Sequence, residues 1–389
     1  MQLVERLHER ALGAPESGIV AVINYARGRE GLLPLWAGEG DLATPDFIGN
    51  AAAASLAAGE TFYTWQRGLP ELRAALARYA SNLYGLPEAP ERFFVTASGM
   101  HAIQIALTCV AGAGDEVVFI GPLWPNLPAA AALAGARPVE VLLDAVDGGW
   151  RLDFQKLADA IIPRTRAIFV NTPNNPTGWT ADEETLRAIL TLARERDLFI
   201  IADEIYSRFF YEGVRAPSFH DVADPDEAVI YVNSFSKNWA MTGWRVGWIE
   251  APAALGDVIE NLVQYSTSGV AAFMQRGAVA ALEEGEPFVT SQIERAKKAR
   301  DIFSQRLTAT NRVEMMPPAG AFYAFFAIDG LEDSRAAAFR IADEAGVGLA
   351  PGTAFGSNTG RFMRACFHRR LDQVEEAAER LADWIGKTA

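Results

Sequence analysis

Short apolar runs alternate with helical segments through the middle of the chain, and this pattern limits the fold more than any other feature. Residues 71–82 repeat apolar positions at helical spacing, the strand-like run FFVTAS follows, and the same alternation continues to residue 251. A strand with one solvent-exposed face alternates regularly between apolar and polar residues, and these runs do not. Their continuous apolar character is typical of strands buried on both faces. The sequence therefore predicts an α/β fold with a mostly parallel sheet covered by helices.

Two domains are expected from the length of 389 residues and from a change of pattern near residue 284. We assign residues 46–284 to the large sheet domain. The charged helical segment and the MMPPAGAFYAFF break that follow are typical of a smaller α+β domain at residues 285–389. Because residues 1–45 are too short to fold alone, we expect them to pack on the C-terminal part, so that both chain ends build one discontinuous domain.

Composition argues against several classes of protein. The net charge of -14, spread along the chain, disfavours binding of nucleic acid or anionic lipid. Cys109 and Cys366 lie in apolar runs and the four histidines lack metal-ligand spacing, so we expect neither a disulfide nor a metal site. The N-terminus lacks the apolar core of a signal peptide, and no run of about 18 apolar residues occurs. We therefore expect a cytoplasmic enzyme.

Two polar motifs follow predicted strands. The segment 171–178, NTPNNPTG, comes after the strand AIFV, and its prolines hold Asn175 in a turn. Asp203 ends the very apolar strand FIIAD, where burial of an unpaired carboxylate is costly. Ligands of open α/β sheets bind at this edge. The alternatives are a purely structural turn for the first motif and a helix N-cap for Asp203.

The third motif is SFSKNWAMTGWRVGW at residues 234–248. Lys237 lies there among large apolar side chains, which lower the pKa of an ammonium and make the amine usable as a nucleophile or base. Ser234, Ser236 and Arg245 supply the donors that an anion such as phosphate needs. A lysine that extends along the apolar surface to reach solvent is the alternative.

The same residues, Ser234 to Lys237, also spell SxxK, the signature of penicillin-binding proteins and related serine acyl hydrolases. Those enzymes also need a KTG strand, which this sequence lacks. A serine acyl hydrolase therefore remains an alternative with one of its motifs missing.

A turn of Ser98, Gly99 and Met100 separates the strand FFVTA from the helix that follows it. Such a turn presents free backbone N–H groups and the positive end of the helix dipole, which together bind phosphate. Trp124 follows the next strand and offers a flat aromatic face at the same sheet edge, with core packing as its alternative role.

Together these groups predict one ligand. The predicted site contains a lysine amine, a strand-end acid, an amide, a tyrosine (Tyr206), a flat aromatic side chain and a turn that binds phosphate. These groups match pyridoxal 5'-phosphate, whose aldehyde, ring and phosphate need such partners. The chain thus resembles the fold type I pyridoxal-phosphate enzymes, specifically the class I and II aminotransferases. The motifs that carry the resemblance stand in order as GEGDLATPDF, YTWQRGLPELR, TPNNPTG, DEIY, SFSKNWAMTGWRVGW, PGTAFG and FMRACF.

The resemblance implies a large domain with a mostly parallel sheet of the seven-stranded type. It also implies the transfer of an amino group from an L-amino acid to a 2-oxo acid by a ping-pong mechanism. Lys237 looks like the lysine that binds the cofactor as a Schiff base and carries the proton at the substrate Cα. Asp203 resembles the partner of the pyridine nitrogen. Asn175 and Tyr206 resemble the donors to the ring's phenolic oxygen, and Trp124 resembles the stacked aromatic.

Further roles follow from the same resemblance. The implied phosphate ligands are Ser98, Gly99, Met100, Ser234, Ser236 and Arg245. Arg364 matches the arginine that binds the substrate α-carboxylate, with the Gly38 backbone and Asn175 beside it. Tyr63 matches the tyrosine that reaches the phosphate of the neighbouring subunit, which implies a homodimer with shared active sites.

The substrate is predicted from what surrounds these groups. Some aspartate-specific members of the family carry a lysine directly after the turn glycine, where this chain has Met100. This difference argues against aspartate as the donor, unless an arginine such as Arg27 or Arg208 takes the place of that lysine. The aromatic residues expected near the pocket are Trp36, Trp65 and Trp124. Apolar walls favour a neutral or aromatic amino donor, with 2-oxoglutarate as acceptor. A carbon-sulfur β-lyase would use the same core residues, whereas a non-catalytic regulator would need an N-terminal DNA-binding module.

Overall fold

The computed structural model describes residues 3–146 and 149–387. Its strands are β1 (Leu33–Pro34), β2 (Phe93–Thr96), β3 (Glu116–Gly121), β4 (Arg137–Leu142), β5 (Asp144–Val146), β6 (Gly149–Arg151), β7 (Thr165–Asn171), β8 (Phe199–Asp203), β9 (Val229–Ser234), β10 (Gly247–Glu250), β11 (Val313–Met315), β12 (Tyr323–Ile328), β13 (Val347–Gly348), β14 (Ala350–Pro351) and β15 (Phe362–Cys366).

The α-helices are α1 (Glu9–Leu12), α2 (Gly18–Ala26), α3 (Asp46–Ala57), α4 (Pro70–Tyr84), α5 (Gly99–Val110), α6 (Asn126–Ala134), α7 (Phe154–Asp159), α8 (Glu183–Glu195), α9 (Phe235–Asn238), α10 (Gly256–Ser266), α11 (Ala272–Glu284), α12 (Glu286–Thr308), α13 (Ser334–Glu344) and α14 (Leu371–Lys387). None of the helices in the described ranges is long and apolar enough to cross a membrane. The expected cytoplasmic location stays a prediction.

The central sheet has seven strands in the order β2-β10-β9-β8-β7-β3-β4. β10 is antiparallel to both of its neighbours, and the other paired strands of this sheet are parallel. Along β7, Ala167 and Phe169 enter the hydrophobic cluster under α5, α6 and α10, whereas Ile168 and Val170 enter the cluster under α7 and α8. Both faces are therefore buried, and the α/β prediction with a mostly parallel sheet is confirmed.

A second group of strands comes from the two ends of the chain. β11, β12, β15 and β14 form an antiparallel sheet, and β1 pairs in parallel with β13 through Leu33 and Val347. Val22 and Leu35 share a hydrophobic cluster with Phe303 of α12 and other residues of the C-terminal part. This packing agrees with a discontinuous small domain, and the proposed boundaries stay a prediction.

Two apolar runs that the alternation predicts as strands, VIYVNSFS at 229–236 and WRVGWIEA at 244–251, are longer than the strands that they form. The run at 229–236 forms a strand only to Ser234, because α9 begins at the next residue. The run at 244–251 becomes β10 only from Gly247, because Arg245 has a left-handed backbone with φ of 55°. The polar residues between the predicted and the observed ends are thus free to leave the sheet.

A buried ionic cluster lies beside β10. Glu88, His220 and Glu250 have ligand atoms within 4.8 Å of one another, as metal ligands do. The Arg92 guanidinium already supplies a cation there, since its nitrogens lie 3.0 Å from Glu88 and 3.1 Å from Glu250. The cluster is therefore a closed set of charges rather than an open metal site.

Arg92→Ala should lower the free energy of unfolding by about 3–5 kcal/mol, because two buried carboxylates lose their cation. Arg187→Ala is the control, since Arg187 pairs with Glu183 on the exposed face of α8 at 2.6 Å and such pairs contribute below about 1 kcal/mol. Urea unfolding followed by circular dichroism measures both variants. Equal losses would contradict the importance of the buried pair.

Candidate active site

Most of the residues singled out from the sequence line one cavity of about 370 Å³ at an edge of the central sheet. The predicted residues in its wall are Gly38, Gly99, Met100, Trp124, Asn175, Asp203, Tyr206, Ser234, Ser236, Lys237, Arg245 and Arg364. Ser98 caps α5 directly before the wall residue Gly99. Tyr63 is 92% exposed and does not line the cavity.

The directions of the strands explain why these side chains meet. β7, β8 and β9 end at Asn171, Asp203 and Ser234, and their carboxyl ends lie at the same edge because the strands are parallel. β10 runs the opposite way, so its first residue, Gly247, pairs with Ser234. Arg245, two residues earlier, is thereby brought to the edge where the other strands end.

Lys237 directs its ammonium towards the N-terminal segment. Nζ donates a hydrogen bond to the Gly38 carbonyl oxygen at 2.7 Å and lies 6.0 Å from the centre of the Tyr206 ring. Burial lowers the pKa of the ammonium from 10.5 to about 8. Much of the amine is therefore neutral near pH 8, as a nucleophile or proton carrier requires.

Asp203 is a buried acid with a single weak donor. Its Oδ1 accepts a hydrogen bond from the Ile205 N–H at 3.4 Å, which is the one bond that the carboxylate makes to the described residues. Burial raises the pKa of the carboxyl from 3.8 to about 7. Asn171 donates from Nδ2 to the Asp203 backbone oxygen at 3.1 Å and so holds the strand end. The carboxylate is placed to receive a further donor or cation from the cavity.

Arg364 is a buried cation with no acid beside it. The side chain is 1% exposed, and none of the described carboxylates lies within ion-pair distance. Nη1 donates to Asn175 Oδ1 at 3.1 Å, Nη2 donates to the Trp36 carbonyl oxygen, and Nε has no hydrogen-bond partner within the described ranges. The rings of Tyr323 and Phe355 lie 4.6 and 4.9 Å from the guanidinium. A carboxylate ligand would supply the missing charge and match the planar donor pattern.

Asn175 uses only one end of its amide within the described protein. Oδ1 accepts from Arg364, and the backbone N–H donates to Asn171 Oδ1 at 2.9 Å. The amide nitrogen makes no hydrogen bond to the described residues, although Asn175 lines the cavity. The free Nδ2 is therefore available to a ligand that also approaches Arg364.

A cradle for an anion lies at the start of α5. Ser98 accepts the His101 N–H at 3.1 Å and has φ of 128°, a strained value for a residue other than glycine. The first N–H groups of a helix have no partner within the helix, and Gly99 and Met100 at the start of α5 line the cavity. A Cβ on Gly247 would lie 2.6 Å from the Ser98 carbonyl carbon, so this close approach requires glycine. The hydroxyls of Ser234 and Ser236 lie 2.9 Å apart, and Arg245 adds an unpaired cation among the described residues.

Tyr323 is a site residue that the sequence reasoning missed. It is fully buried, lines the cavity and places its hydroxyl 2.7 Å from that of Tyr206. Burial raises the pKa of Tyr206 above its usual value. Asn171, Ile19 and Ile23 also line the cavity without having been selected. The i, i+4 spacing of the two isoleucines is the signal that would have indicated a helix face, whereas Tyr323 carries none.

Other candidates for the substrate pocket lie away from it. Arg27 is an exposed residue at the end of α2, and Arg208 binds Glu286 through two nitrogens at 2.5 and 2.8 Å. Trp65 does not line the cavity, whereas Trp36 does. The cavity thus has fewer cations and fewer tryptophans than the sequence suggested.

The residues of the SxxK motif do not form a hydrolase pair. Ser234 Oγ lies 2.9 Å from Ser236 Oγ and 3.2 Å from the Val246 carbonyl oxygen, while Lys237 Nζ donates to the Gly38 carbonyl oxygen. A lysine that activates a serine must contact its hydroxyl. The geometry therefore disfavours a serine acyl hydrolase.

Known proteins of similar sequence and structure agree on one family. Residues 31–381 match the sequence family described as aminotransferase class I and II. The aspartate/prephenate aminotransferase of Thermus thermophilus is 33% identical over 98% of this chain and 99% of its own. The structure of Thermus thermophilus aspartate aminotransferase with maleate has a TM-score of 0.90 at 34% identity, over 97% of this chain and 99% of its own. Alanine aminotransferase from Pyrococcus furiosus has a TM-score of 0.92 at 28% identity, over 98% and 100%.

Asp203→Asn should stabilise the ligand-free protein while it keeps the shape of the side chain. Above pH 7 the folded wild type holds an ionised buried carboxylate, which opposes folding because the unfolded carboxyl ionises near 3.8. The loss of stability caused by the buried carboxylate becomes smaller as the pH falls from 7 towards 3.8, because the folded carboxyl then becomes protonated. We expect a gain of about 2–4 kcal/mol in unfolding free energy at pH 8 and a smaller gain at pH 5.

Urea unfolding at the two pH values measures this gain. Asp182→Asn is the matched control, because Asp182 caps α8 at the surface and asparagine caps equally well. A loss of stability in Asp203→Asn at pH 8 would contradict the account of an uncompensated charge.

Proposed function

The chain belongs to the class I and II aminotransferases, which depend on pyridoxal 5'-phosphate, and we propose that its amino donor is a neutral or aromatic L-amino acid and its acceptor a 2-oxo acid such as 2-oxoglutarate. The enzyme class and the cofactor follow from the family. The choice of substrate and the role of each site residue are the parts proposed here. They rest on the charges and walls of the cavity.

The residues of the cavity fit pyridoxal phosphate. Asp203 lacks a strong donor, which a protonated ring nitrogen would supply. Lys237 offers an amine for the aldehyde, and the start of α5 with Arg245 offers a cradle for the phosphate. Trp124 in the cavity wall offers a face for the ring. When bound, the cofactor supplies an electron sink that makes a carbanion at the substrate Cα accessible.

The protein's own residues then divide the remaining work. Arg364 binds the substrate α-carboxylate and so orients the Cα–H bond towards Lys237. Lys237, with a pKa of about 8, takes the proton from Cα and returns it during the transfer. Asp203, ionised at neutral to alkaline pH, keeps the proton on the ring nitrogen. Asn175 and Tyr206 would donate hydrogen bonds to the phenolic oxygen of the cofactor.

The observation that carries the donor proposal is the wall of the cavity. Beyond Lys237, Arg245 and Arg364, none of the described lining residues is a lysine or arginine. Its other surfaces are largely apolar, from Ile19, Ile23, Trp36, Met100, Ile103, Trp124 and Leu127. A carboxylate on the donor side chain would lose its water without gaining a cation, whereas an apolar side chain would gain by burial. A 2-oxoglutarate acceptor would bear the same desolvation cost at its distal carboxylate.

Aspartate is the second candidate donor because of the relatives. The Thermus thermophilus protein is named for aspartate and prephenate, and the solved Thermus structure holds maleate. The Pyrococcus furiosus neighbour is named for alanine, a neutral donor. Names of relatives at this identity therefore support both donor classes, and the absence of a described lining cation beyond Lys237, Arg245 and Arg364 favours the neutral one.

A panel of donors with 2-oxoglutarate tests the proposal directly. We expect kcat/KM for phenylalanine and leucine to exceed that for aspartate by about tenfold or more, the scale of one missing charge-assisted hydrogen bond. Met100→Lys should raise the relative kcat/KM for aspartate, whereas Met100→Leu, a control of similar volume, should leave the ratio unchanged.

A strong preference of the wild type for aspartate would overturn the donor proposal. The carbon-sulfur β-lyase alternative has its own signature, since a lyase releases pyruvate and ammonia from cystathionine without any oxo acid. That assay, run on the same preparation, separates the two reactions.

A homodimer is the second part of the proposal. Phe62, Tyr63 and Trp65 are exposed apolar residues on one segment, and Val258 and Tyr265 are exposed on α10. Gln66 and Gln264 join the two segments by a hydrogen bond of 2.6 Å, so their apolar side chains belong to one surface region. A contiguous exposed surface of large apolar side chains is typical of a subunit interface. A second copy of the chain would cover it and bring Tyr63 to its phosphate cradle.

Tyr265→Glu should shift the protein from dimer to monomer, because it places a charge in the apolar patch where Tyr265 is 87% exposed in the single chain. Sedimentation velocity measures the change, and the monomer should also retain less pyridoxal phosphate after dialysis. Val214→Glu, at an exposed valine outside the two segments, is the control. A wild-type monomer at micromolar concentration would contradict the proposal.

A further inference from the structure

Tyr323 joins three parts of the site that the sequence treats separately. Its hydroxyl lies 2.7 Å from the hydroxyl of Tyr206, and its ring lies 4.6 Å from the Arg364 guanidinium. A Cβ on Gly38 would lie 2.6 Å from the same hydroxyl, so the Lys237-binding segment passes directly over it. β12 holds Tyr323 opposite Cys366 of β15, fully buried.

Counting hydrogens fixes the direction of the bond between the two tyrosines. Each phenol carries one hydrogen, and only one of the two can lie between the oxygens. If Tyr206 gives its hydrogen to the phenolic oxygen of the cofactor, then Tyr323 must give its own to Tyr206. The Arg364 cation above the Tyr323 ring polarises that hydroxyl in the sense of a donor.

We propose that Tyr323 is a positioning residue that donates its hydroxyl hydrogen to Tyr206 and thereby keeps the Tyr206 hydroxyl turned towards the phenolic oxygen of the cofactor. This inference rests on the proposed roles of Tyr206 and of pyridoxal phosphate. Tyr323 does not touch the reacting atoms. It acts by orienting Tyr206 and by strengthening it as a donor, because hydrogen bonds in a chain polarise one another.

The visible absorption band of the loaded enzyme reports this effect. A hydrogen-bond donor stabilises negative charge on the phenolic oxygen. That charge then attracts the proton on the neighbouring nitrogen linked to Lys237 less strongly, so the pKa of the nitrogen falls. A weaker donor therefore lets that nitrogen keep its proton to higher pH. Loss of the Tyr323 hydroxyl should raise the pH midpoint at which the band changes.

Tyr323→Phe removes one hydroxyl and keeps the ring beside Arg364. We expect the midpoint to rise by about half a pH unit, less than in Tyr206→Phe. In the double variant Tyr206→Phe/Tyr323→Phe, the second substitution should add no further shift, because Tyr323 acts through Tyr206. The other charged and titratable groups near the two hydroxyls are unchanged in each variant; they are Asp203, Lys237, Arg245, Arg364, Glu39 and Cys366.

Tyr211→Phe is the matched control. Tyr211 is a buried tyrosine whose hydroxyl donates to the Ala321 carbonyl oxygen, two residues from Tyr323, and it does not line the cavity. Its loss should leave the midpoint unchanged. An equal shift in Tyr211→Phe would mean that any buried hydroxyl moves the band through packing, and would overturn the proposal.

Gly38→Ala gives a second way to disturb the tyrosine pair if Tyr323→Phe does not fold. The added methyl group would lie 2.6 Å from the Tyr323 hydroxyl and so displace it from its present position while both tyrosines remain. It should raise the midpoint in the wild-type background and not in the Tyr206→Phe background. An unchanged midpoint in Tyr323→Phe, or a shift that persists without the Tyr206 hydroxyl, would overturn the inference.

Failure of the proposed function looks different. A wild-type protein that binds no pyridoxal phosphate, or that shows no pH-dependent visible band, would refute the roles on which the inference rests. A wild type with a normal band and active transamination, together with an unshifted Tyr323→Phe, would refute the role of Tyr323 alone.

Discussion

Buried charges without partners determine the character of this site. Asp203 and Arg364 are both buried, and among the described residues neither lies within ion-pair distance of a group of opposite charge. Buried charges of this kind oppose folding unless an opposite charge neutralises them. In this site the opposite charges would come from bound ligands. The protonated ring nitrogen of the cofactor would neutralise Asp203, and the substrate carboxylate would neutralise Arg364. Neutralisation of these two charges by bound ligands would therefore favour binding and would stabilise the fold.

The sheet makes this arrangement possible. Parallel strands bring Asn171, Asp203 and Ser234 to one edge, and the single antiparallel strand β10 adds Arg245 from the opposite chain direction. A sheet with β10 parallel would have placed that arginine at the far edge. β9 ends and β10 begins inside the apolar runs that contain them, so Ser236 and Arg245 lie outside the sheet and in the cavity wall.

Sequence reasoning found the residues that follow strands because strand ends converge by a general rule. Asp203, Asn175 and Lys237 are examples, since each lies just beyond an apolar run, and all three line the cavity. Tyr323 could not be found in that way, because it lies inside a strand of a different sheet and only tertiary packing brings its hydroxyl to Tyr206. Tyr63 shows the opposite limit. The resemblance assigns it a role at a phosphate, and a single chain leaves it at the surface.

The carboxylate site joins parts of the chain that are synthesised far apart in time. Arg364 bonds the backbone of Trp36, and β1 pairs with β13, so the N-terminal segment must wait for the last part of the chain before it finds its place. The groups expected to hold the cofactor phosphate lie between Ser98 and Arg245, in the middle of the chain. On the ribosome, the central sheet and its cradle therefore emerge well before the pocket that selects the substrate. The groups expected to hold the phosphate are therefore synthesised before Arg364, the residue expected to bind the substrate carboxylate.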